Sequence, residues 1–128
     1  MHLSLQRGGL LLLSYFYYLA IIVMAHAVGD YALQSDYIAK GKQTSLYVLF
    51  IHVNIWTYII VATTLFLGTP VKLGLIVVCL WIPHFIMDYL KAQSAWFLKT
   101  VPNQKTQLII DQTVHYLQLA VFVWFATH

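Results

Sequence analysis

Residues 71–91 read VKLGLIVVCLWIPHFIMDYLK, and this stretch decides the fold. Between Lys72 and Lys91 it is almost wholly apolar, interrupted only near its end by His84 and Asp88. About twenty apolar residues wound as a helix rise ~30 Å, the thickness of a bilayer's hydrocarbon core. Three other stretches have the same character. The expected spans run over about residues 10–30, 46–67, 71–90 and 108–127. The chain has 128 residues, 61% of them hydrophobic and only 9% charged. Its mean hydropathy is +0.76. No soluble domain of this size could bury so much apolar surface, so the lipid bilayer acts as solvent. The expectation is an all-α polytopic membrane protein, a single domain over residues 1–128 with four transmembrane helices.

Arg7 and the apolar run after it imitate a secretory signal, with Ala25-His26-Ala27 resembling a cleavage site. That run exceeds the usual h-region of about 7–15 residues, so a retained first helix is expected. Cys79 is the only cysteine, which excludes an internal disulfide. The formal net charge of +3 is not a nucleic-acid signature, because the basic residues lie in the loops. They fix orientation instead. The end of the bundle reached by the first and third loops carries Lys40, Lys42, Lys91, Lys99 and Lys105, against Arg7 and Lys72 at the other. The positive-inside rule makes the lysine-rich end cytoplasmic and both termini external.

Three of the four acidic residues, and there is no Glu, stand in histidine pairs: His26-x-x-x-Asp30, His84-x-x-x-Asp88 and Asp111-x-x-x-His115. Ionisable groups within lipid are costly and mark a site, a proton path or a paired contact. Alternating spans carry all three pairs, and His52 with them, to the lysine-rich end. An internal echo supports this arrangement. His26-x-x-x-Asp30-Tyr31 leads to Gln34-Ser35 and Lys40, as His84-x-x-x-Asp88-Tyr89 leads to Gln93-Ser94 and Lys99. The fold is therefore expected as two pseudo-repeated helix hairpins, facing their His–Asp motifs toward each other.

Residues four apart on a helix share a face, with Cβ atoms about 6 Å apart, so each pair can chelate one ion. His26, Asp30, His84, Asp88, Asp111 and His115 are the expected metal ligands, with His52 a ligand or general base. Such an inventory suffices for one ion, or for two sharing a carboxylate. It suits zinc, manganese or iron without choosing among them. Lys91, one turn beyond Asp88, suits an anionic group such as a phosphate. Gln34 and Gln112 could orient ligands or substrate. Pro83 should kink the third span and open space beside His84. Asp36 is expected to start a surface helix, and the Tyr15–Tyr18 aromatic run to face lipid or an interface.

At these residues the chain resembles the small bacterial and phage-borne integral membrane proteins grouped as domain of unknown function 3307. The features that carry the resemblance are His26-x-x-x-Asp30-x-x-Leu33-Gln34 with Lys40 and Lys42, then His52, His84-x-x-x-Asp88 and Asp111-Gln112-x-x-His115. It covers about residues 22–120 and implies a bacterial inner-membrane location but no activity. More loosely, the pattern is similar to that of membrane-bound metal-dependent hydrolases. Three functions compete. The first is metal-assisted hydrolysis of a lipid-linked or phosphorylated substrate, with His52 and Lys91 catalytic. The second is an ion- or proton-coupled transporter or channel component, which four helices could form only as a homo-oligomer. The third is a structural or regulatory partner whose pairs merely hold helices together.

Overall fold

The computed structural model describes residues 2–128, with side chains from Gly8 onward. The side chain of Arg7, part of the orientation argument, lies outside the described residues. Four helices are long and apolar enough to cross a membrane: Gly8–Ala32, Leu46–Phe66, Leu73–Gln93 and Gln104–Thr127. Two short helices, Asp36–Gly41 and Ala95–Thr100, follow the first and third spans, and no strand occurs among the described residues. This is a helical membrane protein.

The ends of these helices follow local chemistry. Ser35 and Ser94 cap the two short helices, accepting hydrogen bonds from the backbone N–H of Ile38 and Phe97, each at 3.3 Å. The sequence echo is thus also a structural one: each odd-numbered span ends in a serine-capped helix of six residues. Asp36 starts the first of these helices, as expected. Asn103 Oδ1 accepts from Lys105 and Thr106 N–H, so the fourth span begins at Gln104, ahead of its expected start at residue 108. The third span begins at Leu73 and runs on to Gln93, because Lys91, Ala92 and Gln93 continue the helix up to the capping Ser94. Polar side chains of such terminal turns reach water, so hydropathy alone places the span ends too far inward.

The first span packs on the second and the fourth, and so does the third. The spans therefore form a square, with the two odd-numbered spans on one diagonal. Just beyond the His/Asp residues, away from the lysine-rich end, Ile22, Trp56, Ile60, Leu80, Leu119, Phe122 and Val123 fill the interior at 0% exposure. Outward-facing residues such as Leu13, Phe66 and Phe125 are apolar and exposed, as a lipid-facing surface requires. The aromatic run departs from its expected placement. Phe16 and Tyr17 face outward, but Tyr15 and Tyr18 turn in and donate their hydroxyl hydrogens to the carbonyls of Ala120 and Thr64. Helical spacing splits any four consecutive residues between faces, and a phenol at membrane depth needs an acceptor.

Both odd-numbered spans contain a π-helical turn, Val28–Ala32 and Ile76–Trp81. The second ends just before Pro83, and Gln118 donates from its amide to the carbonyl of Leu80 within it. The space beside Pro83 opens away from His84. It is an outer groove of about 510 Å³ lined by Val78, Cys79, Pro83, Val114, Gln118 and neighbours. The expectation of room beside His84 fails on one face of the ring, because the Trp56 indole stacks on that imidazole at 3.9 Å.

Candidate metal centre

The spans deliver their ionisable residues to one layer by simple arithmetic of rise. His52 lies six residues, about 9 Å, into the second span from the lysine-rich end. His26 lies six residues before the end of the first span, and His84 nine before the end of the third. All seven residues His26, Asp30, His52, His84, Asp88, Asp111 and His115 are buried. Close approach of the first two spans needs Gly29, where a Cβ would stand 3.0 Å from Trp56 Cδ1 and 3.4 Å from Trp56 Cα.

His52 is the hub. Its Nε2 lies 3.3 Å from Asp30 Oδ1 and 3.2 Å from Asp88 Oδ2, joining the two diagonal spans. The echoed His–Asp motifs thus meet through a histidine of the second span. His84 Nε2 is 3.5 Å from His52 Nε2 and 3.8 Å from Asp88 Oδ2. The His84 and His115 rings lie 4.4 Å apart, and His115 reaches Asp88 and Asp111, each at 3.7 Å. Donor atoms within 4.8 Å of one another form three overlapping groups. One is Asp30, His52, His84 and Asp88; another is Asp88, Asp111 and His115; the third is His26, Asp30 and His115. Each has the imidazole and carboxylate donors that a divalent metal takes.

His26 differs from the other histidines of the cluster in having both ring nitrogens in hydrogen bonds. Trp56 Nε1 donates to its Nδ1 at 2.9 Å, so the ring proton sits on Nε2 and points to Gln112 Oε1 at 3.1 Å. The Gln112 amide then donates to Asp30 Oδ2 at 3.2 Å and Asp111 Oδ2 at 3.0 Å. One continuous chain, Trp56 to His26 to Gln112 to two carboxylates, spans three helices. Gln112 thereby links His26 to Asp30 and Asp111. Gln34 lies apart from the cluster, in a cavity at the lysine-rich end, and its Oε1 has no partner. By contrast with His26, His84 Nδ1, both nitrogens of His115 and Asp111 Oδ1 are buried and without hydrogen bonds. Buried polar atoms left without a protein partner cost about 1–3 kcal/mol each, and here they are concentrated in one layer.

Two lysines close the cluster at its watery end. Lys91 Nζ lies 2.8 Å from Asp111 Oδ2, and Lys42 Nζ lies 2.9 Å from Asp88 Oδ2. Lys42 is held by its own backbone, whose carbonyl accepts from Gln93 Nε2 at 2.7 Å. Next to it, Gly41 packs its short helix on Val48 of the second span, where a Cβ would stand 2.9 Å from Val48 Cγ1. Trp56 is a site residue that motif reasoning left out, and Lys42 one to which it gave no role. For Trp56 a signal existed: it follows His52 by four residues and shares its helix face. Lys42 gave only its place in the quoted motif.

Fold and site together define a class: a four-span helical membrane protein with a buried histidine–aspartate cluster under two lysines. The family model described as "Protein of unknown function (DUF3307)" matches residues 18–128, and the chain belongs to that family. No curated protein and no solved structure matches the chain.

Proposed function

We propose that this protein binds divalent metal in the cluster and uses it to hydrolyse a lipid-linked or phosphorylated substrate at the lysine-rich, cytoplasmic end. The observation that carries the reading is the set of buried, unpartnered donors on His84, His115 and Asp111, lying within two donor groups that share Asp88. One ion would take Asp30, His52, His84 and Asp88, and a second Asp88, Asp111 and His115. In this reading His26, with both nitrogens committed, is a positioning residue that holds Gln112 and through it Asp30 and Asp111. Zinc, manganese and iron all suit the donors. Such an ion supplies Lewis acidity and an activated water. The chain's own part is otherwise simple. His52, between two carboxylates, would tie the first ion to both diagonal spans, and Lys91, one-third exposed, can leave Asp111 for an anionic substrate.

Transport through a single bundle is less well supported. The apolar layer from Ile22 to Phe122 and Val123 lies across any path from the cluster to the other face. The test is phosphate release from a phosphomonoester lipid in nanodiscs, with metal and with chelator. Metal-dependent turnover lost in Asp88→Ala is expected. Undiminished turnover in metal-free protein would contradict the reading.

A further inference from the structure

We infer that Lys42 and Lys91 form a phosphate-binding latch that metal opens: in the metal-free protein they neutralise Asp88 and Asp111, and metal releases them to bind an anion in the cavity above. The inference rests on the metal reading and names the chemistry that its site would accept. Three observations carry it.

First, both lysines do double duty in space. Each makes a short ion pair with a cluster carboxylate. Both also line a cavity of about 430 Å³ at the lysine-rich end, together with Gln34, Gln43, Gln104 and Gln107. The lining joins these two lysines and four glutamines to Ala39, Ala92 and Leu108, with no acidic residue, which suits a phosphate better than a cation. The buried, unpartnered Oε1 of Gln34 lies here too. Its amide can turn to offer an N–H to the anion.

Second, the lysines are paired to carboxylates that a metal needs. Asp88 belongs to two of the donor groups and Asp111 to one. A divalent ion on these carboxylates repels an ammonium held within 3 Å of one of their oxygens, and Lys42 and Lys91 have long stems with which to swing away.

Third, formal charge balance favours it. With neutral imidazoles, three carboxylates against two ammonium groups leave the buried site one unit negative. One divalent ion turns this into one unit positive, and a second makes it three. A positive surplus at membrane depth is costly without a counter-charge. With two ions bound, a phosphate dianion on the two freed lysines reduces the surplus from three units to one. Metal and phosphate should therefore bind cooperatively.

The test uses the full chain in phosphatidylcholine nanodiscs, with metal content measured first. Inorganic phosphate binding is followed by calorimetry on metal-free protein and on protein loaded with manganese and freed of excess. A second arm places phosphatidic acid in the disc and asks whether it displaces the phosphate. The expected result is a gain in phosphate affinity of about tenfold or more on metal loading, mirrored by an equal gain in metal affinity with phosphate. Lys42→Gln should weaken phosphate but tighten metal, since a competitor for Asp88 is gone. Mere misfolding would weaken both. Displacement by phosphatidic acid assigns the site to a lipid headgroup, and its absence to a soluble phosphate. Metal bound with phosphate affinity unchanged would overturn the latch while leaving the metal site standing. No metal bound at all would overturn the reading beneath it.

Discussion

At the scale of single residues, Asp88 carries the most weight. It contacts His52, His84, His115 and Lys42, and it belongs to both donor groups assigned to metal. Asp88→Ala should therefore remove all bound metal, whereas Asp30→Asn, which touches only one of the two groups, should leave about half. Metal analysis of the two variants side by side checks this, and equal losses would contradict the bridging role. Trp56→Phe keeps an aromatic ring for the His84 stack but deletes the donor to His26 Nδ1. It should cost about 1 kcal/mol, as hydrogen bonds between membrane helices do, in reversible unfolding from mixed micelles. The histidines and aspartates were legible because ionisable groups stand out in an apolar run. Trp56 and Lys42 were not, because an indole in a membrane helix and a lysine in a loop each have an ordinary explanation. Only the fold brings them against His26 and Asp88.

At the scale of elements, the spans were legible and their internal distortions were not. Length and hydropathy found four helices, since lipid forces the backbone to satisfy itself. The π-turns depend on a one-residue shift of hydrogen bonding, as from Leu33 N–H to the Val28 carbonyl at 3.0 Å, which no periodicity announces. One such turn contains Asp30, and Gly29 within it lets Trp56 approach. Gly29→Val should push the first and second spans apart and lower metal occupancy, measured in protein that still runs as a single species on gel filtration. Pro83→Ala is the control. Pro83 lines the outer groove, so this change should leave occupancy unaltered.

At the scale of the whole molecule, the square of spans explains why one histidine of the second span can join Asp30 and Asp88 from opposite corners. The alternation of spans was enough to predict the shared layer, because it depends only on counting crossings. Which groups touch within that layer depends on rotation of each helix, and that information came from packing. Lys40, Lys42, Lys91, Lys99 and Lys105 all belong to the end where the short helices lie, and Lys72 to the other. Cytoplasmic placement of the lysine-rich end predicts that a Lys40→Cys variant is closed to an impermeant thiol reagent in intact cells. A Thr69→Cys variant should be open to it, and the reverse labelling would invert the topology.

The central claim, that the cluster holds metal, is tested most directly by elemental analysis of the purified protein beside an Asp88→Ala/His115→Ala double variant. One or two equivalents of zinc, manganese or iron in the parent, absent from the variant, is the result expected. A folded parent that holds no metal even after reloading would contradict it.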